Sequence, residues 1–246
     1  GNSTEFFSTA TSNAPPDAVT HPVISALLQH AARWGSVTTK TCAPFLRTLL
    51  YHPDHHFTQL RYLNTTILSG RKDSPPEFIN ISNLAPVLQE VEIHGHANQV
   101  VLLLPWTQLQ QYKEATSNRG FLRNVLTHSL HLHTLDVSRS PRHPIPIPGP
   151  ILLPHLRSLT WTMAYDPHHH TIDVVLNQLV LPSLEEARFR VSNSAQEDSE
   201  RGDFVEHLTH LVVRSAASRK AGRALPLRRL AFRTSHPLPP NSFQQI

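Results

Sequence analysis

The sequence of 246 residues predicts an α/β fold in which short parallel strands stack side by side and helices or turns connect them. Two observations lead to this prediction. One six-residue pattern of apolar residues recurs along most of the chain, and segments with strand periodicity alternate with segments with helix periodicity.

The recurring pattern is clearest at Leu156-Arg-Ser-Leu159-Thr-Trp161, where apolar residues occupy the first, fourth and sixth positions. From Leu159 to Met163 apolar and polar residues alternate strictly, which indicates a strand with one buried face. The spacing L-x-x-L-x-L is that of the strand in a leucine-rich repeat. Similar copies start at residues 60, 88, 109, 132, 184 and 227, and a degenerate copy starts at Trp34. The copy at 109 is the least regular, because Glu114 is a poor residue for its sixth position.

The spacing of the copies fits a repeat protein. Successive copies begin 28, 21, 23, 24, 28 and 43 residues apart, and leucine-rich repeats are roughly 20–29 residues long. The longest interval contains a polar insert at 192–203. We therefore predict an irregular leucine-rich-repeat solenoid over residues 22–235, with a parallel sheet on one face and helices or turns on the other. The alternative is an ordinary mixed sheet whose strands happen to be rich in leucine.

The connecting segments follow the same logic. Apolar residues at helical spacing predict helices at 22–33, 44–52, 121–130, 172–179 and 204–215. Strands are predicted at 37–41, 60–68, 88–94, 109–115, 132–137, 156–163, 184–190 and 225–233. The charged segment 69–77 is predicted as a loop, and so is 141–154, because its six prolines exclude helix and central strand.

The two ends of the chain differ from the repeat region. Residues 1–21 are polar and contain Pro15-Pro16, so we predict a disordered linker there. Residues 236–246 are predicted to be a C-terminal tail. Because no initiator methionine is present and no closing element follows the last copy, we expect a truncated piece of a longer protein.

Composition limits the compartment and the partners. The formal net charge of +4 is modest for this length and does not imply a nucleic-acid partner. Cys42 is the single cysteine, so no intrachain disulfide can form, and a cytoplasmic or nuclear location is expected. The sequence has no signal peptide pattern and no run of about 18 apolar residues, so no membrane partner is expected.

Catalytic and cofactor motifs are absent from the sequence. It contains no GxSxG, GxxxxGK[ST], GxGxxG or HExxH pattern, so we expect no enzyme activity, no cofactor and no metal site. His207 and His210 have metal-compatible helical spacing, but no ligand pattern accompanies them. The pairs His94/His96 and His131/His133 are each predicted to lie on one strand face, as pH-sensitive contacts or as ordinary polar residues.

A basic cluster near the C-terminus has two interpretations. Its members are Arg214, Arg219, Lys220, Arg223, Arg228, Arg229 and Arg233. A solvated basic end is favoured over a nucleic-acid site, because the only aromatic residue nearby is Phe232, which the strand pattern directs toward the core.

Several phrases resemble the leucine-rich region of fungal F-box-like proteins. These are His21-Pro-Val23 with Leu27-Leu28 and Arg33-Trp34, Leu103-Leu-Pro-Trp-Thr-Gln-Leu109, Leu153-Pro-His-Leu-Arg-Ser-Leu159, and Leu181-Pro-Ser-Leu184. The resemblance covers roughly residues 21–235 and implies substrate recognition for an SCF-type ubiquitin ligase, whose other subunits supply the chemistry. An SCF adaptor would be a partner only if an F-box precedes Gly1. A leucine-rich scaffold unrelated to ubiquitin is the alternative.

The predicted docking surface is the polar face of the sheet. Side chains alternate along a strand, so the polar residues between the repeat apolars point to one surface, the usual docking surface of a solenoid. The candidate residues for binding an unidentified protein substrate are Glu90, Glu92, His94, Asp136, Thr160, Glu186, Arg188, Arg190, Arg229 and Arg233. We expect this surface to run from acidic at Glu90 and Glu92 to basic at the C-terminal copies. A partner segment of opposite polarity would be complementary.

Overall fold

A computed structural model describes residues 3–7, 22–50, 56–68, 77–95, 100–116, 119–139, 149–165, 175–193, 201–219 and 226–234. The structure is α/β and its sheets are parallel, as the sequence predicts; none of the described sheets is closed. The chain forms two compact units, Gly1–Val125 and Leu126–Ile246. No helix within the described residues is long and apolar enough to cross a bilayer.

The first unit contains a parallel sheet and a smaller strand pair. Its strands are β1 (Ser3–Phe7), β2 (Ser36–Thr41), β3 (Tyr62–Ile67), β4 (Glu77–Asn80), β5 (Glu90–Gly95), β6 (Val100–Leu103) and β7 (Gln111–Thr116). The order β1-β2-β3-β5-β7 forms the sheet, and β4 pairs with β6. The helices are α1 (Pro22–Leu28) and α2 (Ala43–Leu50), with 3-10 turns at Ala31–Arg33 and Trp106–Gln108. Helix α3 (Arg119–His128) spans the boundary between the units.

The second unit repeats this arrangement. Its strands are β8 (Thr134–Arg139), β9 (Ile151–Leu152), β10 (Ser158–Tyr165), β11 (Leu179–Val180), β12 (Glu186–Asn193) and β13 (Arg229–Thr234). The order β8-β10-β12-β13 forms a parallel sheet, and β9 pairs with β11. Helix α4 (Arg201–Ala217) lies between β12 and β13 in the chain.

One backbone turn recurs in front of the repeat strands. The amide of the first repeat leucine donates to the carbonyl three residues earlier in the pairs Leu60–Phe57, Leu88–Ala85, Leu109–Trp106, Leu132–Ser129, Leu156–Leu153 and Leu184–Leu181. Three of these turns carry proline at their second residue, namely Pro86, Pro154 and Pro182. Proline suits that position because its fixed φ matches the turn. The phrase L-P-x-L is therefore a turn that aims the chain into the next strand.

A second recurring contact joins consecutive copies. The carbonyl of Arg61 accepts hydrogen bonds from the amides of Gln89 and Glu90, at 2.9 Å each. In the second unit, the carbonyl of Arg157 receives the amides of Glu185 and Glu186 in the same way. These residues hold equivalent places in their copies, so the copies pair in register within each unit.

The apolar positions of the copies form the core. In the first, fourth and sixth positions every residue of the copies at 60, 88, 109, 132, 156 and 184 is buried, including Leu63, Leu135 and Leu159 at 0 % exposure. Leu230 holds the fourth position of the copy at 227, which the repeat pattern predicts to be buried, but it is 42 % exposed. The prediction is wrong there because, among the described strands, β13 ends the order and has a neighbour on one side only.

Glu114 also follows the register, although its chemistry does not suit a core. It is 2 % exposed, and its carboxylate accepts hydrogen bonds from the hydroxyls of Tyr112 and Thr116 on the same strand. A buried carboxylate requires such partners. Position in the repeat, rather than polarity, therefore fixes where this side chain points.

Several short elements differ from the sequence prediction. Residues 3–7, placed in the linker, form β1, whose Thr4, Phe6 and Phe7 favour strands. The strands β4, β6, β9 and β11 were not predicted, since two to four residues are too few to show a periodicity. Strand β9 lies within the predicted 141–154 loop, and β11 begins at Leu179, the last residue of the predicted 172–179 helix, whose Val175 and Leu176 are helical. The rest of the predicted linker and the tail 236–246 lie outside the described residues.

Candidate functional site

The candidate surface in the first unit is the outward face of β3, β5 and β7. Along β3 and β5, buried and half-buried residues alternate, so the polar residues face away from the core. The parallel register places Tyr62 beside Glu90, Asn64 beside Glu92, and Thr66 beside His94. The next strand continues the rows with Gln111 beside Glu90 and Lys113 beside Glu92.

Glu92 is the centre of this face. One carboxylate oxygen accepts a hydrogen bond from the Tyr62 hydroxyl at 3.0 Å, and Asn64 Nδ2 in turn donates to that hydroxyl at 3.2 Å. The other oxygen lies 3.1 Å from His94 Nε2 and 3.8 Å from Lys113 Nζ. The predicted residues Glu92 and His94 are thus brought into direct contact, and Glu90 lies in the neighbouring row.

The electrostatics of this cluster favour a neutral phenol. Burial is the largest influence and raises the pKa of Tyr62, and the hydrogen bond and negative charge of Glu92 raise it further against the opposing effect of Asn64. Tyr62 therefore donates a hydrogen bond that orients the Glu92 carboxylate.

The candidate surface in the second unit is the outward face of β8, β10, β12 and β13. The register forms three rows. From the beginning to the end of the strands they are Thr134–Ser158–Glu186–Arg229, Asp136–Thr160–Arg188–Ala231 and Ser138–Thr162–Arg190–Arg233. All of these side chains are half-buried or exposed, as the strand alternation predicts.

Glu186 gathers two of the arginines in this surface. Arg188 donates to one carboxylate oxygen from Nε at 3.1 Å and from Nη2 at 2.8 Å, and Arg229 Nη1 donates to the same oxygen at 3.0 Å. Partial burial would raise the pKa of Glu186, but the two guanidinium groups outweigh it and hold the pKa below its usual value. Glu186 stays charged and fixes both arginines.

The other predicted residues of this surface take no part in that cluster. Asp136 and Thr160 lie in the middle row, and Arg190 and Arg233 lie opposite each other in the last row. The strand alternation predicts the outward face on which these residues lie, and the register places them in these rows. The sequence does not indicate which arginines pair with Glu186, because a pattern of residue types contains no information about side-chain geometry.

The histidines form a cluster that sequence reasoning only partly identified. His131 and His133 precede β8 instead of lying on it, which corrects the predicted strand placement. His131 stacks on His155 with ring centroids 5.9 Å apart, and His133 meets His155 edge-on at 6.4 Å. Partial burial, followed by the charge of Arg157, lowers the pKa of His133. His131 and His155 each immediately precede the first leucine of consecutive copies. Aligning the copies would therefore have predicted from the sequence that these two histidines are neighbours.

The helical histidines and the C-terminal basic residues do not form a common site within the described residues. His207 Nδ1 lies 3.1 Å from the amide oxygen of Asn177, and His210 lies 3.9 Å from Glu206. Arg214 turns inward and donates to the carbonyl of Leu176, and burial lowers its pKa. Lys220 and Arg223 lie outside the described residues, as does His96. Among the residues that the structure describes, no group of three or more His, Cys, Asp or Glu is placed to hold a metal ion.

Comparisons of the chain with protein-family models, with curated proteins and with solved structures found no match.

Proposed function

We propose that the chain is a non-catalytic protein-recognition module, built as an irregular leucine-rich-repeat solenoid and serving as the substrate-binding region of an F-box-like protein of an SCF-type ubiquitin ligase. The observation that carries the proposal is the pair of in-register polar surfaces described above. Such an open sheet face is what repeat proteins use to bind extended partners.

The recurring backbone contacts support the solenoid. The same turn precedes the strand in six copies, and the same carbonyl receives the next copy in both units. The short pairs β4–β6 and β9–β11 add a second parallel ladder between consecutive copies. In an ordinary mixed sheet, these contacts would not be expected to recur at equivalent residues of successive copies.

The chemistry of the two surfaces supports binding instead of catalysis. Glu92 and Glu186 are each occupied by several hydrogen-bond or ion-pair partners, and Tyr62 is held neutral. Groups fixed in this way are preorganised for contact with a partner, which lowers the entropy cost of binding. A general acid or base would instead need a group free to exchange its proton with a substrate.

The two surfaces are complementary to partner side chains of opposite charge. In the first unit, Glu90 and Glu92 suit a basic side chain of a partner, and in the second unit the arginine rows suit an acidic one. Complementary charge of this kind chiefly sets specificity and association rate.

The proposal can be tested by selecting binders from a random peptide library against the purified chain. Binding should weaken after charge reversal at Arg188 and Arg190, or at Glu90 and Glu92, depending on the unit that a peptide occupies. The matched control is Val213→Lys, which changes an exposed side chain on helix α4 and not on a strand of either sheet. Peptides that respond to the control and to neither pair of face variants would remove the sheet faces as docking sites.

The ubiquitin-ligase part of the proposal needs a separate test. The natural protein that contains this chain should bind an SCF adaptor through residues outside 22–235. If the full-length protein does not bind an adaptor, the recognition module belongs to a scaffold unrelated to ubiquitin.

A further inference from the structure

Two arginines on β12 and β13 remain outside the Glu186 cluster. Arg190 and Arg233 are register partners on neighbouring strands, and both are exposed. Among the described residues, no carboxylate forms an ion pair with either of them. By contrast, Arg188 and Arg229 are both held by Glu186.

This placement is unfavourable unless an anion is bound. Like charges directly opposite each other on one sheet face destabilise the pairing. Neighbouring strands are about 4.8 Å apart, so two flexible guanidinium groups on adjacent strands can reach the same ligand. The row continues with the hydroxyl residues Thr162 and Ser138, which offer further hydrogen bonds to anionic oxygens.

The surroundings favour an acidic peptide over a nucleic acid. Asp136 and Glu186 lie on the same face in the two preceding rows and would repel a long phosphate backbone. None of the outward residues in the three described rows is aromatic, whereas binding of single strands relies on stacking platforms. A localised pair of carboxylates can contact the last row and avoid both acids.

We propose that Arg190 and Arg233 anchor an extended acidic segment of a protein partner, with its Asp or Glu carboxylates bound across β12 and β13. This rests on the proposed recognition function and specifies the class of segment that the second unit takes. Ala231, between Arg229 and Arg233 on β13, leaves room beside the anchor for the backbone of the segment.

The experiment uses fluorescein-labelled oligoglutamate, which self-repulsion keeps extended. Fluorescence anisotropy compares the wild-type chain with Arg190→Glu/Arg233→Glu and with Arg190→Gln/Arg233→Gln, which removes charge without adding the opposite one. The control Arg61→Glu/Arg228→Glu changes the net charge of the chain by the same amount at exposed arginines outside the last row. Oligothymidylate of matching charge is the competing probe. Thermal unfolding checks that each variant is folded.

We expect salt-dependent binding of oligoglutamate that weakens at least roughly tenfold in the Glu variant and severalfold in the Gln variant. The control should stay within about twofold, because charges beyond the Debye length of about 8 Å are screened at physiological salt. Equal losses in the control and the Glu variant would overturn the proposal, as would tighter binding of oligothymidylate. If oligoglutamate does not bind at all, the acidic-segment proposal is also overturned. The proposed recognition function is still supported in that case if binding of library peptides weakens in the face variants.

Discussion

Replacing Leu159 by Ala tests whether the repeat register carries the stability of the second unit. Leu159 is fully buried on β10, with Leu135 and Ala187 beside it on the neighbouring strands. Three carbon groups are lost, at about 0.8 kcal/mol each. Strands on both sides limit how far the site can collapse, so a cavity remains, and the total cost should be roughly 2–5 kcal/mol.

Leu230→Ala is the matched control, since Leu230 holds the same repeat position on β13 and is 42 % exposed. About half of its side chain is already in water and solvent fills the space, so the cost should be about 1 kcal/mol. Urea unfolding followed by circular dichroism measures both variants, with the slope checked for a change in cooperativity. A cost below about 1 kcal/mol for Leu159→Ala, or equal costs for the two variants, would refute the assigned register.

Three further predictions concern the backbone and the charges. Gly95 has φ +85°, and a Cβ there would overlap the carbonyl oxygen of Ile67. Gly95→Ala should therefore lower the free energy of unfolding by more than about 1 kcal/mol in the same urea assay. Gly35→Ala is the control and should be near neutral, because the space around Gly35 is open. Pro154→Ala should cost about 0.4–1 kcal/mol in thermal unfolding, by freeing the unfolded chain, and no loss would contradict the turn assignment. The lowered pKa of Glu186 means that its stabilisation is present above the ordinary value of 4.5 and is lost as pH falls through the lower folded pKa. Glu186→Gln should therefore flatten the decline of the unfolding midpoint in acid, and an unchanged decline would contradict this.

The sequence was sufficient for the parts of the fold that repeat. Strand positions, the buried face and the parallel pairing follow from the L-x-x-L-x-L copies, because each copy meets the next at equivalent residues. Even Glu114 is buried at its repeat position, because the alternation of its neighbours along the strand determines which face its side chain is on. Its carboxylate is accommodated by the hydroxyls of Tyr112 and Thr116, which also lie on the buried face.

Other parts could not be predicted, for physical reasons. Strands of two residues such as β9 and β11 form only because a partner strand is placed beside them, and their own sequences contain no signal. The exposure of Leu230 depends on its place at the end of the strand order, which is a property of the whole sheet. The predicted helix at 172–179 is helical at Val175 and Leu176, but its last residue, Leu179, begins a strand instead, because pairing with Ile151 competes with the local apolar spacing.

The charge of the candidate surface shows most directly why function needs the structure. From the sequence, Arg188, Arg190, Arg229 and Arg233 form one basic end. In the structure Glu186 holds Arg188, two residues along the same strand, and Arg229, directly across in register. Glu186 therefore offsets one of the four positive charges, and the two arginines that pair with no carboxylate among the described residues lie in the last row, where Arg190 faces Arg233. A broad basic end would favour a polyanion, whereas two opposed arginines beside hydroxyl groups favour a short acidic segment at one defined place.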